Sequence, residues 1–336
     1  MTIRVGINGF GRIGRNFYRA ARAAGADIDV VAANDLGDPA TMAHLLRYDS
    51  VHGVLPYAVD AVDGGISIDG DHLALMSERD PAALPWGDLG VDVVIEATGV
   101  FKTRDTAAAH LDGGASKVII SAPGKGVDKT FVYGVNDGEY DPAAHHVVSN
   151  ASCTTNCLVP MVHVLEEAFG VEKGLMTTIH AYTGTQPIVD APHKDLRRAR
   201  AGAINLIPTS TGAATATAIV LESMEGKLDG MAVRVPVPAG SLTDLTVVAG
   251  RDTTAEEVNE AFRAASESAG VGRVLDYTEE PIVSSDIVTN PASCTLDAGF
   301  TQVLGNLVKI GGWYDNEWGY STRLVDLTVL VGGGAA

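Results

Sequence analysis

Apolar and small residues fill positions 3–8 and then meet Gly9-Phe10-Gly11-Arg12-Ile13-Gly14. A β-forming run delivered to glycines predicts a buried strand and a tight turn. Residues 15–24, rich in alanine and arginine, read as a helix ended by Gly25, and residues 29–33 as a strand stopping at Asn34-Asp35. Further apolar runs at 91–97 and 117–120 end in Thr98-Gly99 and Ser121-Ala122-Pro123, with a helix expected between them at 104–111. Strands apolar on both faces belong in a parallel sheet covered by helices.

Beyond residue 146 the pattern changes. A short strand at 146–149 runs into a helix expected over 153–167. Longer strands follow at 174–182, 228–238, 241–250 and 307–314, with helices at 212–224 and 254–269. Thr254, with Glu257 three residues on, reads as the cap of the second helix. Residues 182–208 are polar, arginine-bearing and without period, as functional loops often are. The pattern predicts an α/β domain of Rossmann type followed by an α+β domain with a mostly antiparallel sheet.

Strand, glycine turn, helix, second strand and acidic residue together form a dinucleotide fingerprint. Gly9 permits the tight turn, Gly11 lets the backbone approach a pyrophosphate, and Gly14 lets helix and strand pack closely. Asp35 would accept hydrogen bonds from ribose hydroxyls and repel a 2′-phosphate, so NAD is expected over NADP. Thr98, Gly99 and Ser121, at carboxyl ends of parallel strands, are candidates to line the same cleft.

The chain has 336 residues, 46% of them apolar and 20% charged, which fits two globular domains. A net charge of −18 argues against nucleic acid and anionic membrane as partners. A phosphorylated metabolite could still bind, given locally placed arginines and helix ends. Cys153, Cys157 and Cys294 are too few for a disulfide framework, and with no apolar signal core at the start a cytoplasmic location is expected. The glycine-alanine tail, 332–336, is expected to fray.

Cys153 falls in the first turn of the expected helix, inside Ser152-Cys153-Thr154-Thr155-Asn156-Cys157. There the helix dipole and unpaired amides favour thiolate, the nucleophilic form. His180 closes a strand and could serve as its base, although any of the nine histidines is a candidate on this ground alone. His145-His146 lacks a third ligand at a metal-binding interval, and no metal is expected. Cys157 and Cys294 read as packed, unreactive thiols. Arg198, Arg234, Thr183, Thr211 and Gly212 are the candidate phosphate binders, the last two because they open a helix.

Six motifs then stand in register with one family. They are Gly6-Ile7-Asn8-Gly9-Phe10-Gly11-Arg12-Ile13-Gly14-Arg15, the 151–157 cysteine motif, His180-Ala181-Tyr182-Thr183, Arg197-Arg198-Ala199-Arg200-Ala201, Pro208 to Ala214, and Trp313-Tyr314-Asp315-Asn316-Glu317. From residue 3 to about 330 the chain resembles phosphorylating, NAD-dependent glyceraldehyde-3-phosphate dehydrogenase of bacterial type. The resemblance implies Cys153 as nucleophile and His180 as base. It implies Ser152, Thr154, Thr211, Gly212 and Arg198 on the inorganic-phosphate side, and Thr183 and Arg234 on the substrate's own phosphate. Arg12, Ile13, Asp35, Arg79, Ser121 and Asn316 would contact NAD.

It further implies glyceraldehyde 3-phosphate as substrate and a homotetramer. The domains would be 1–150 for NAD and 151–318 for catalysis, with a terminal helix, 319–336, rejoining the first. Gly184, Thr185, Thr215 and Ala239 depart from the family's usual residues. Two related readings accompany the main one: an erythrose-4-phosphate dehydrogenase, or a specialised isozyme with altered sensitivity to cysteine-directed inhibitors.

Overall fold

The computed structural model describes residues 2–333. They fall into two compact units. One takes in the chain as far as Phe131, then Asn136–Ala151 and the chain from Ser321 onward; the other comprises Val132–Val135 and Ser152–Tyr320. Among the described residues no helix is long and apolar enough to cross a membrane.

The first unit is built on a nine-stranded sheet. Ile3–Asn8 lies inside it, parallel to Ile28–Asn34 on one side and to Val93–Glu96 on the other. Lys117–Ile120, Val147–Ser149 and Lys129–Thr130 extend the parallel ladder beyond Val93–Glu96. On the other side Asp71–Met76 adds a parallel strand, and Gly65–Ile68 and Val59–Val62 finish the edge antiparallel. Sequence pattern missed those last three strands. They are short, interrupted by aspartates, and turned by Gly64 and Gly70 at positive φ.

Both glycine arguments at the fingerprint have a structural counterpart. Gly9 has φ +98°, and a Cβ there would lie 2.6 Å from the Thr98 amide nitrogen. A Cβ on Gly14 would lie 2.3 Å from the Gly9 carbonyl oxygen. These contacts hold the helix Arg12–Ala24 against the strand that feeds it. The helix expected at 104–111 is two turns, Arg104–Ala107 and Ala109–Asp112. At the junction the Leu111 amide bonds back only three residues, to the Ala108 carbonyl.

The second unit's seven strands run in the order Ile207–Ser210, Leu228–Val235, Val171–Ala181, Ser241–Ala249, Leu307–Tyr314, Cys294–Leu304, Leu275–Thr278. Four of its six pairings are antiparallel. Sequence pattern missed Cys294–Leu304, where an irregularity between Asp297 and Gln302 breaks the alternation. Leu158, Met161 and Leu165 of the helix Cys153–Phe169 share one core with Leu245, Ile310 and Phe262.

The helix expected over 212–224 is Ala213–Val220, and extended backbone at Leu221 separates it from a turn at Glu222–Met224. Thr254 caps Ala255–Ser266 by accepting from the Glu257 amide. Glu257's carboxylate binds Thr253 and Arg251 rather than closing the box. Residues 182–206 are irregular and expose Ile188, Val189, Leu196, Ile204 and Leu206.

Two details differ from the expected division. Val132–Val135 clusters with the second unit, where the Arg273 guanidinium stacks over Tyr133 and Val274 fills the space beside Gly134. The last helix is Trp318–Val331, and its residues from Ser321 belong to the first unit. Gly332 then meets the Ile3 side chain, which a Cβ there would approach to 2.7 Å. The expected fraying at 334–336, like the end of the expected terminal helix, lies outside the described residues.

Candidate active site

Along the chain, residues 150–152 lead from the strand Val147–Ser149 into the Cys153 helix. Ala151 turns the chain at φ +54°, and Ser152 caps the helix, its hydroxyl accepting from the Thr155 amide at 3.0 Å. Cys153 is therefore the first helical residue, as its spacing predicts. Thr154 is buried, and its hydroxyl lies 2.9 Å from the Tyr314 phenol, which also meets the Thr178 hydroxyl at 2.7 Å.

Strand register supplies the remaining groups. His180 pairs with Arg234 across the parallel ladder, and Ser241 with Tyr314 across the antiparallel one. A one-residue slip would turn these side chains to the opposite face. In the observed register His180 Nε2 lies 3.4 Å from Cys153 Sγ. On the ring's far side, Nδ1 lies 2.6 Å from both the Ala181 carbonyl oxygen and Arg234 Nη1. Arg234 also donates to that carbonyl, at 3.1 Å.

Electrostatics correct one expectation. Burial pushes the Cys153 thiol above its ordinary range, and the opposing pull of Arg234 and Thr154 does not overcome it. Burial thus favours the thiol, against the thiolate that the helix start alone favours. Burial, then Arg234, holds the His180 imidazole at about 3, so the ring is neutral at physiological pH. Burial also lowers Arg234, which remains a cation.

The candidate phosphate ligands divide into groups. Arg198 Nη2 donates to the Thr185 hydroxyl at 3.1 Å, and Thr185 meets the Thr183 hydroxyl at 3.0 Å. The departure Thr185 thus links two predicted ligands. The hydrogen-bond partners of the Arg198 and Arg234 guanidiniums are uncharged, a hydroxyl, a carbonyl and a neutral ring, while the Asp195 carboxylate accepts from the Arg198 backbone amide at 3.3 Å. Both guanidiniums therefore keep their charge for an anion. Thr211 accepts from the Ala213 amide, and Gly212 precedes the helix Ala213–Val220. Thr215 is exposed on that helix, and Ala239 is buried.

Asn316 is buried, its Oδ1 accepting from Ser241 Oγ at 2.9 Å. Ser241 Oγ in turn accepts from the Ala181 amide. That relay fixes Asn316's amide orientation and leaves its Nδ2 as the donor. Tyr314 and Ser241 carry no role in the sequence reading, although Tyr314 stands inside a recognised motif. Pairing across three strands gives them one, and one-dimensional spacing does not show it. Cys157 is buried, with Sγ 3.9 Å from Met161 Sδ and 3.6 Å from the Gly312 carbonyl oxygen. Burial raises the Cys294 thiol too.

In the first unit, Gly9, Gly11, Asp35, Arg79 and Thr98 line one cavity of about 410 Å³ with Asn8, Asn34 and Glu78. Asp35 accepts from the Phe10 and Gly37 amides at 2.8 and 3.0 Å, which fixes its carboxylate at the cavity. Other predicted cofactor residues lie outside that lining. Arg12 is paired with Asp49, Ile13 and Gly14 continue the helix, Gly99 is exposed, and Ser121 follows its strand half-buried. The glycine cradle, the acidic strand end and the cavity fit the adenosine half of a dinucleotide.

Similarity to known proteins agrees with this chemistry. A model of the glyceraldehyde 3-phosphate dehydrogenase NAD binding domain matches residues 3–104, and a model of that enzyme's C-terminal domain matches residues 152–316. The chain is 62% identical over 333 residues to glyceraldehyde-3-phosphate dehydrogenase of Streptomyces coelicolor, covering 99% of both chains. Identity is 61% over 332 residues to glyceraldehyde-3-phosphate dehydrogenase 1 of Streptomyces avermitilis, and 57% over 339 to the Mycolicibacterium smegmatis protein, each again with 99% of both chains. A thiol under a neutral imidazole, a separate nucleotide fold and full-length identity above one half place the chain in the glyceraldehyde 3-phosphate dehydrogenase family.

Proposed function

We propose that this protein oxidises D-glyceraldehyde 3-phosphate to 1,3-bisphosphoglycerate with NAD and inorganic phosphate, through intermediates covalently held on Cys153. The observation that carries this reading is the 3.4 Å approach of His180 Nε2 to Cys153 Sγ, beside two arginines whose guanidiniums have uncharged partners. Thr183 and Arg234 would take the substrate's phosphate. Ser152, Thr154, Thr211, Gly212 and Arg198 would take the inorganic one.

The contacts at His180 Nδ1 require opposite protonation of one nitrogen, since a guanidinium only donates and a carbonyl only accepts. A substrate phosphate that draws Arg234 away leaves the carbonyl contact. Nδ1 then keeps the proton, and Nε2 turns its lone pair toward Sγ. Losing Arg234 also removes the second-largest influence holding the ring neutral, so the imidazole gains proton affinity as substrate arrives.

Cys153 gives up its proton to His180, its sulfur adds to the aldehyde carbon, and His180 returns that proton to the new alkoxide oxygen, giving a neutral hemithioacetal and a free imidazole. Bound NAD supplies the two-electron acceptor for the oxidation. His180 takes the hemithioacetal hydroxyl proton as the carbonyl re-forms, leaving a thioester on Cys153. Amides at the helix start, Cys153's own included, can stabilise the oxyanion of each tetrahedral stage. Inorganic phosphate then attacks the thioester carbon, the acyl phosphate leaves, and the sulfur regains its proton. Gly9, Gly11, Asp35, Arg79 and Thr98 would hold the adenosine half of NAD, and Asn316 Nδ2 would donate to the nicotinamide amide. A cytoplasmic homotetramer completes the proposal, with the apolar side chains exposed over residues 188–206 as candidate subunit contacts.

A panel of glyceraldehyde 3-phosphate and erythrose 4-phosphate with NAD and NADP, with and without phosphate, tests the reading. The three-carbon substrate, NAD and phosphate should together give the fastest steady turnover. An NADH burst of unchanged size in Cys153→Ser would overturn the covalent mechanism.

A further inference from the structure

The proposed chemistry leaves one buried titratable pair without a part. Glu96 ends the strand Val93–Glu96, and His110 is wholly buried beside it, with Nε2 3.1 Å from Glu96 Oε2. At each end of the network a group that can only donate fixes the protons. The Trp86 indole donates to His110 Nδ1 at 3.0 Å, so the ring is neutral and carries its proton on Nε2, facing Glu96.

At the other end the Glu78 amide donates to Asn34 Oδ1 at 2.8 Å. Asn34 Nδ2 then donates to Asn8 Oδ1 at 2.7 Å, which leaves Asn8 Nδ2 to donate to Glu96 Oε2, also at 2.7 Å. The second carboxyl oxygen, Oε1, accepts from the Thr98 amide at 2.9 Å and from the Thr98 hydroxyl. Every hydrogen-bonding group that faces Glu96 donates. The set suits an acceptor-only carboxylate and has no place for an amide or a protonated acid.

Asn8, Asn34, Glu78 and Thr98 are also lining residues of the cavity in the first unit. The Thr98 amide held by Glu96 is the atom that a Cβ on Gly9 would approach to 2.6 Å, so the carboxylate also backs the glycine turn. We propose that Glu96, oriented by His110 and Trp86, is a positioning residue for NAD, holding Thr98 and the Asn8–Asn34 amides in place as the wall of the nucleotide cavity. This rests on the reading that the cavity seats the adenosine half of the cofactor.

Glu96→Gln keeps the shape but makes one carboxyl position a donor. Facing Oε2's partners, it meets two N–H groups; facing Thr98, it strips the amide of its acceptor. Either way a wall residue must move. On the full-length protein, calorimetric titration should give NAD binding about tenfold weaker. At saturating NAD, kcat and the aldehyde KM should stay within about twofold of the parent. A merely structural role would lower the melting temperature and leave NAD affinity within twofold, which overturns the proposal.

Should Glu96→Gln fail to fold, His110→Gln, which removes the ring that orients the carboxylate, should weaken NAD at least threefold; a smaller change again overturns it. Asp35→Asn separates the two layers of inference. Weakened NAD binding there, with Glu96→Gln unaffected, sinks the positioning role alone. Unchanged binding in Asp35→Asn sinks the cofactor seat and the proposal with it.

Discussion

A neutral, buried His180 makes the fold sensitive to acid, and the size of that effect can be worked out. In the folded chain the imidazole titrates at about 3, against 6.5 for an unperturbed ring, chiefly because burial and then Arg234 penalise the imidazolium. A base depressed by folding is protonated first in the unfolded chain. Stability is therefore complete above about pH 6.5 and is lost as pH falls toward 3. The whole gap corresponds to about 5 kcal/mol, and at about pH 5 roughly 2 kcal/mol of it is expressed.

His180→Gln removes the titration but keeps a polar side chain of similar reach. Equilibrium urea unfolding of both proteins, at one protein concentration and at about pH 7.5 and pH 5, isolates the residue, because the other titrating groups are common to both. The parent's advantage over the variant should shrink by about 2 kcal/mol between the two conditions. A difference constant to within about 0.5 kcal/mol would show that the ring is not held neutral, and the account of His180 as a waiting base would fail.

The same His180→Gln chain should lose about 10²–10⁴ of the NADH burst rate in stopped flow, while NAD binding is unchanged; a loss below tenfold would assign the base elsewhere. Tyr314→Phe removes a phenol shared by two buried threonine hydroxyls and should cost about 1–3 kcal/mol of unfolding free energy, measured by denaturant titration. Gly14→Ala places a methyl 2.3 Å from the Gly9 carbonyl oxygen and should destabilise by about 1–3 kcal/mol while weakening NAD binding in calorimetry. If Gly14→Ala binds NAD as tightly as the parent, the glycine turn does not set the cofactor site.

Local chemistry explains what could be read along the chain. The strand–glycine–helix–strand–acid order, the cap at Ser152 and the cysteine after it depend on neighbours within a few residues, and such features survive in one dimension. The parallel runs at 93–96 and 117–120 could be recognised because a strand buried on both faces is apolar throughout. Cys294–Leu304 and the edge strands at 59–76 could not, because an irregular register and polar turns erase the alternation that marks a strand.

For the site, sequence alone pointed to Cys153 as the candidate nucleophile and located the start of its helix. The nucleotide fingerprint was legible there too, and resemblance named His180 as the candidate base, which lies 3.4 Å from the Cys153 sulfur. Tertiary structure decided the charge of these groups and their company. Whether Cys153 is thiol or thiolate depends on burial set against Arg234, which lies 81 positions away in the chain and reaches His180 only because two strands pair in register. The phenol of Tyr314, the Ser241 relay to Asn316 and the Glu96–His110 pair arise in the same way. Dielectric surroundings and cross-strand contacts are properties of the packed chain, and no local stretch of sequence encodes them.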